Sequence, residues 1–265
     1  MNHPLVTIII PTKNSARTLG RCLDSVKKQT YQPIELIVVD NNSTDTTKEI
    51  AQHYTNSVYN FGPERSFQRN FGVSKSHGEY VLVHDSDIYF DPDTVTECVK
   101  IILDGHFDAL VLPERSIGKG FWTKVKAFER SFYIGNDYIE AARFFKKDVY
   151  QKIGGYDEDL YAGEDWDLTI RLREQGFKIG RATHFIEHDE GELRFFGSSK
   201  KKEYYASNFF AVYAKKHPEY VKKQMSFFTR FPLFTLLHKA LRHPVLCTAM
   251  ILMKMTELIY SYKNK

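Results

Sequence analysis

Cysteine is scarce in this 265-residue chain, and the glycine-rich phosphate loops are missing altogether. Cys22, Cys98 and Cys247 are scattered through helix-like stretches, which argues against a disulfide framework and for a reduced compartment. No Cys/His spacing fits a zinc site. Neither GxGxxG nor GxxxxGKS/T occurs, so a dinucleotide fingerprint and a P-loop are both excluded. No apolar run approaches the roughly 20 residues that a membrane-spanning helix needs. The first apolar stretch, Leu5 to Ile10, is short, lacks a basic lead and ends at Pro11, so it does not read as a secretory leader. Repeats and low-complexity segments are absent. The length suits one sizeable core with an appendage.

What the chain does have is a series of polar residues at strand ends. Val6-Thr7-Ile8-Ile9-Ile10 is β-branched and closes on Pro11-Thr12. A helical pattern follows, with Leu19, Cys22, Leu23 and Val26 on one face. Ile34 to Val39 reads as a second strand ending at Asp40, and Ser43-Thr44-Asp45 supplies cap chemistry for the next helix. Tyr80-Val81-Leu82-Val83 runs into His84-Asp85-Ser86-Asp87. Strands alternating with helices predict a mostly parallel sheet buried on both faces. Ligands bind such sheets beyond the carboxyl ends of the strands, which places Thr12, Asp40, Asp85 and Asp87 in one crevice. An Asp-x-Asp there can hold Mg²⁺ or Mn²⁺ against a diphosphate, because these cations prefer oxygen ligands and share them with phosphates. The plainer reading makes these acids turn and cap residues. A second acidic cluster, Gly163-Glu164-Asp165-Trp166, opens a predicted helix where a carboxylate stays ionised.

These motifs, in this order and spacing over about residues 5–190, resemble the family 2 nucleotide-sugar glycosyltransferases of GT-A fold. The resemblance rests on Val6 to Asn14, Val38 to Asp45, Asp85-Ser86-Asp87 and Glu164-Asp165. It implies a GT-A, Rossmann-like domain over residues 1–198. It implies that Thr12 and Asp40 line the nucleoside pocket, with Pro11 and Asn14 of the same loop, and that Asp85 holds the nucleotide end. Asp87 is implied as the acid that binds a divalent cation, Mn²⁺ or Mg²⁺, and Asp165, beside Glu164, as the base of an inverting displacement. Arg69-Asn70 resembles a family segment next to the donor. UDP-sugars come first as donors and GDP-sugars second. Where the family often has Asp-Asp-Gly-Ser, this chain has Asp40-Asn41-Asn42-Ser43, so Asn41 cannot supply a second charge. The Gln-x-x-Arg-Trp segment of processive synthases is absent, which predicts transfer of a single sugar.

The residue types suit that chemistry. Displacement at an anomeric carbon needs a base for the acceptor hydroxyl and a charge sink for the departing diphosphate. A polyprenyl phosphate would arrive already ionised, so the intact Glu164-Asp165 pair points to a hydroxyl acceptor, a glycan or lipid-linked glycan. Polyprenyl-phosphate transfer and non-catalytic nucleotide-sugar binding are the alternatives. Asp167 and Arg171 form an expected i,i+4 helix pair. His184 and His188 follow the base helix, where this fold often adds a further metal ligand. His188, beside Asp189-Glu190-Gly191, is the candidate for that ligand, whereas His84 is expected to pack or cap.

Charge is distributed unevenly. Residues 199–265 carry 13 basic and three acidic residues, or +10, while residues 1–198 carry 24 basic and 30 acidic, or −6. Phe227-Phe228, Phe231, Leu233-Phe234, Leu236, Leu237, Leu241 and Val245 to Met253 make this basic region apolar as well. Aromatic, Met and basic residues so mixed predict helices lying in a membrane surface at its cytoplasmic face, with packing on the catalytic domain or a second subunit as the alternative. Lys200-Lys201-Lys202 with Tyr204-Tyr205 offers a second use for the charge, closure over the donor diphosphate. Nucleic acid is not expected, since no motif accompanies the charge.

Overall fold

The computed structural model describes residues 3–195 and 200–263, except for the side chains of 200–203 and 257–263, so the use suggested for Lys200, Lys201 and Lys202 lies outside the described residues. Ten strands occur in the described chain: β1 (Val6–Thr12), β2 (Ile34–Asp40), β3 (Val58–Asn60), β4 (Tyr80–Val83) and β5 (Ile88–Tyr89), then β6 (Ala109–Val111), β7 (Glu114–Lys119), β8 (Ala142–Lys146), β9 (Ile179–Arg181) and β10 (Ile186–Glu192). Seven form one sheet in the order β3-β2-β1-β4-β8-β6-β9, and β5, β10 and β7 form a smaller one. The large sheet is parallel except at β8, which runs against both of its neighbours.

Alternation along β1 and β2 explains why both faces are covered. Ile8, Ile10, Leu36 and Val38 enter one apolar cluster, while Ile9, Ile37 and Val39 enter the other. Burying each such side chain contributes about 1.5–3 kcal/mol. The expected helix over Leu19 to Val26 runs Ala16–Lys27 and buries the four predicted residues. Asp45 serves two helix starts at once: its carboxylate accepts from the Ala16 and Thr47 amides. Helix Arg65–Lys75 lies very close to the sheet because of Gly72, where an added Cβ would come within 2.4 Å of Ile9. That approach brings Arg69, one turn earlier, under the sheet's carboxyl edge.

From Lys200 the C-terminal region is a run of helices with short breaks at His217, Ser226, Phe231-Pro232 and His243. Helix Lys200–Asn208 continues through a π-helical turn, Phe209–Tyr213, whose Phe209 and Tyr213 pack with Leu160 and Ile170. His217 meets Asp167 at 2.8 Å. Asp167 also forms the expected pair with Arg171, whose guanidinium donates onward to the Ile153 and Gly155 carbonyls. Helices Leu233–Arg242 and Pro244–Lys263 then dock on helix Phe121–Arg130, where Phe231, Cys247, Ala249 and Met250 pack with Val125, Phe128 and Phe132. Phe231, expected at a lipid surface, is therefore a core residue. Phe228, Phe234, Leu241 and Val245 are exposed. No helix among the described residues is long and apolar enough to cross a membrane.

Glu129 clasps this docking. Its buried carboxylate pairs with Lys126 at 2.9 Å and with Lys254 of the last helix. Burial pushes the carboxyl up, but Lys126 and Lys254 outweigh it and bring it down to about 2. A folded value below the ordinary value of about 4.3 gives stability that is fully present above that pH and is lost as the pH falls toward 2. Glu129→Gln is thus expected to lower the melting temperature at pH 7, by about 2–4 °C for each kcal/mol removed. The deficit should shrink on acidification to pH 3. Identical melts at pH 7 would show that the clasp contributes nothing.

Candidate active site

The strand ends deliver their polar residues as expected, but with different partners. Thr12 donates to Asp40 at 3.0 Å, and the Ser43 amide donates to the other Asp40 oxygen at 2.8 Å. Lys48 lies 3.8 Å from the same fully buried carboxylate. Asn14 adopts a left-handed φ of 50° and ties two loops together, its amide donating to Ser43 and its side chain accepting from the Thr44 amide. Pro11 is buried within β1, paired with Val39. Asn41, where the resembling pattern has an acid, is buried and donates to the Pro63 carbonyl, a bond that a carboxylate could not make.

Arg69 is the hub. Its guanidinium is fully buried, 2.7 Å from Asp85, 3.0 Å from Asp165 and 3.2 Å from Glu164. Arg65, a turn earlier, reaches Glu164 at 3.2 Å and Asp85 at 4.0 Å. One helix thus gathers the first acidic strand end and the second acidic cluster into a single site. Asn70 points elsewhere: its carboxamide donates to the Tyr156 carbonyl and Glu158, and accepts from Tyr150 and the Tyr156 amide. It holds the 150–158 loop. Gly163 makes the sharp entry to helix Glu164–Glu174, with φ of 82° and Tyr213 where a Cβ would project.

Electrostatics separate the two adjacent acids. Burial pushes the Asp165 carboxyl up, but Arg69 and Arg143 outweigh it and hold it below the ordinary carboxylate range. Asp85 is held far lower still, against its burial, by Arg69, Arg65 and Arg143. Glu164 goes the other way, raised by burial with Asp165 adding to the effect. Of the pair, Asp165 is therefore the acid whose charged form is favoured by its surroundings.

A second group of charges adjoins the first. His188 Nδ1 lies 2.8 Å from Glu114, and since a carboxylate only accepts, Nδ1 donates. The other ring nitrogen, Nε2, lies 3.5 Å from an Asp87 oxygen, and in the neutral tautomer that this bond selects it is the atom that carries the lone pair. The other Asp87 oxygen, Oδ1, is buried with no hydrogen-bond partner. Glu114 also pairs with Arg130 and, at 3.4 Å, with Arg143, which stands 3.7 Å from Asp165. Arg130 reaches Glu190 at 3.1 Å. The connected groups comprise six carboxylates (Asp85, Asp87, Glu114, Glu164, Asp165 and Glu190) and four arginines (Arg65, Arg69, Arg130 and Arg143), a formal deficit of two positive charges. Among the described residues no set of three His, Cys, Asp or Glu side chains converges to hold a metal by itself.

The remaining histidines take no part in this cluster. His184 pairs with Glu97 at 3.2 Å. His84 packs edge-on against Phe90, and burial first, with Arg143 acting in the same direction, lowers it to about 4, so the ring is neutral. The sequence reading missed Arg65, Glu114, Arg130 and Arg143. Glu114 had a signal, since it follows the apolar run Ala109 to Leu112 as Asp85 follows its own. Arg143 had none, being an interior residue of the antiparallel strand of the large sheet.

The sequence model of glycosyl transferase family 2 matches residues 7–156. The chain is 28% identical over 213 residues to glycosyltransferase GlyA of Streptococcus pneumoniae, covering 76% of this chain and 28% of that protein. It is 26% identical over 198 residues to the O-antigen chain rhamnosyltransferase WbaN of Salmonella anatum, covering 66% and 63%. The chain thus spans less than two thirds of either relative. Among solved structures, mannosyltransferase PcManGT from Pyrobaculum calidifontis, in complex with GDP-Man and Mn²⁺, superposes with a TM-score of 0.64 at 18% identity over 96% of this chain and 85% of that one. S. aureus TarS 1-349 in complex with UDP-GlcNAc superposes with a TM-score of 0.59 at 21% identity, over 80% and 66%. At these identities the two structures establish a shared fold, and the family match, which extends over more than half of the sequence, establishes the lineage: this chain belongs to glycosyl transferase family 2.

Proposed function

We propose that the chain transfers one sugar from a nucleotide-diphosphate sugar to a hydroxyl acceptor, with inversion at the anomeric carbon. The observation that carries this reading is Arg69, which holds the strand-end Asp85 and the ionised Asp165 on one guanidinium. Asp165 accepts the acceptor's proton as its oxygen bonds to the anomeric carbon. The bond to the diphosphate breaks on the opposite side, and its electron pair leaves on the phosphate oxygen. Thr12 and Asp40, with Pro11 and Asn14 shaping the loop, form the floor for the nucleoside. UDP-sugars are the first donors to try and GDP-sugars the second; both nucleotides occur in the two structures of similar fold.

Asp87 and His188 suit a divalent cation. An orphaned buried carboxylate oxygen, an imidazole nitrogen facing the same side chain and a local deficit of two charges all favour one. Two protein ligands accord with how Mn²⁺ and Mg²⁺ bind beside nucleotides, the rest coming from phosphate and water. When bound, the cation supplies charge for the departing diphosphate. Glu114 orients His188, so Glu114→Gln is expected to weaken Mn²⁺ binding by about 10–100-fold, the scale of lost outer-shell partners. Titration with Mn²⁺ followed by electron paramagnetic resonance reads this directly, and unchanged affinity would remove Glu114 from that role.

We assign residues 1–198 to catalysis and residues 199–265 to a membrane-surface tail at the cytoplasmic face, where the acceptor is a lipid-linked glycan. The exposed Phe228, Phe234, Leu241 and Val245 and the surplus of basic residues support this assignment. Thermal shift with a panel of UDP- and GDP-sugars plus Mn²⁺ tests the donor reading. A ligand at 100 times its Kd stabilises by about 2.7 kcal/mol, well within reach of the method. If no nucleotide sugar shifts the melt, the reading is wrong.

A further inference from the structure

A cleft of about 380 Å³ lies between the end of helix Phe121–Arg130 and helix Leu233–Arg242, lined by Phe128, Ser131, His238, Lys239, Arg242 and His243. Four of these six side chains are basic and none is acidic. Across residues 226–256 there is no Asp or Glu at all, against Arg230, Lys239, Arg242, Lys254 and two histidines. The nearest acid in sequence, Glu129, has its carboxylate turned inward onto Lys126, Lys254 and Tyr133. The side chains that line the cleft are therefore basic, aromatic or hydroxyl-bearing, with no carboxylate among them.

The rim has a different character. Phe234, Leu237 and Leu241 form one stripe of the helix, at i, i+3 and i+7, and they are 84%, 56% and 86% exposed. His238 and Arg242 form the next stripe, one position further round. Val245, beyond the break at His243-Pro244, extends the apolar side at 68% exposure. On the floor, Lys239 donates to the Ser131 carbonyl and hydroxyl at 2.9 and 2.6 Å and lies 4.3 Å over the Phe132 ring. An ammonium has three donors, and the two bonds to Ser131 leave one for a ligand.

We propose that this cleft binds the phosphate of an anionic lipid headgroup, while Phe234, Leu237, Leu241 and Val245 enter the acyl region around it. The inference rests on the membrane-surface reading of the tail and adds a defined site to it. A soluble phosphate would satisfy the basic groups but would leave the apolar rim in water, and this is what selects a lipid as the source. The arrangement matches basic pockets that take headgroups at an interface.

Co-sedimentation of the full-length protein with two kinds of vesicle tests the site: pure phosphatidylcholine, and an equimolar mixture with phosphatidylglycerol. Two double variants are compared, His238→Gln/Arg242→Gln in the cleft and Lys215→Gln/Lys222→Gln elsewhere in the basic region. The altered side chains are exposed, and melting curves confirm that each variant folds. The expected result is preference for the anionic vesicles, with the cleft pair losing more than the about fivefold that one diffuse basic contact supplies and the control pair losing less than the cleft pair. An equal or larger loss in the control would mean diffuse attraction and overturn the site. Equal binding of wild type to both vesicles would also overturn it while leaving the membrane reading intact. No binding to either vesicle would sink both. Inorganic phosphate binding in an Arg242-dependent manner without vesicles, measured by calorimetry, would assign the cleft to a soluble anion instead.

Discussion

Asp165→Asn is expected to fold, to bind donor as the wild type does, and to transfer sugar about 10²-fold more slowly or worse, the scale of a missing general base. The substitution keeps an acceptor oxygen for Arg69, 3.0 Å away, so the hub is not dismantled. What it removes is the member of the Glu164-Asp165 pair whose carboxyl Arg69 and Arg143 hold low, whereas burial pushes the Glu164 carboxyl up. Steady-state rates on a glycan acceptor, with donor affinity measured separately, isolate the chemical step. A near-wild-type kcat would mean that another group is the base, and would bring a polyprenyl phosphate forward as an acceptor that needs none.

The second large effect is expected at Asp87. Asp87→Ala should cost more than about tenfold in affinity for a nucleoside diphosphate in Mn²⁺, because loss of a direct ligand exceeds the lower end of what outer-shell losses cost. In EDTA the wild type should fall to the level of the variant, and the variant should be indifferent to the metal. Calorimetry with UDP, then GDP, in those four combinations is the measurement. Equal affinity in all four would remove the metal-diphosphate role from this strand end. Binding that needs the metal but tolerates the substitution would move the cation to other ligands.

The local expectations held, and the mostly parallel sheet flanked by helices held with them. Runs four to six residues long, apolar but for Thr7 and Glu35 and each closed by a polar residue, are enough to locate β1, β2 and β4, because a strand buried on both faces has few polar positions to spare until it ends. The same rule placed Thr12, Asp40, Asp85 and Asp87 at one edge. It could not show that Thr12, Ser43 and Lys48 would already surround Asp40, since a hydrogen-bond partner 28 residues away leaves no trace in spacing. Arg69 was singled out for proximity to the donor, yet its place is beneath three carboxylates. Nothing in a helix pattern tells a surface arginine from one that Gly72 has pressed into the sheet. Phe231 and Phe228 look alike in sequence, and only docking on helix Phe121–Arg130 makes one a core residue and leaves the other 70% exposed.

Helix Phe121–Arg130 also bears on how such a protein can change over generations. Its Val125, Phe128 and Glu129 hold the C-terminal helices, and Arg130, its last residue, pairs with Glu114 and Glu190 beside His188. Ten residues thus answer to two selective pressures. If the tail meets a membrane as proposed, a lineage moving to a bilayer of different composition would have to refit it through the element that anchors the charged centre. Substitutions in the two regions are therefore expected to arrive together, and a tail grafted from a distant relative is expected to need its own version of this helix.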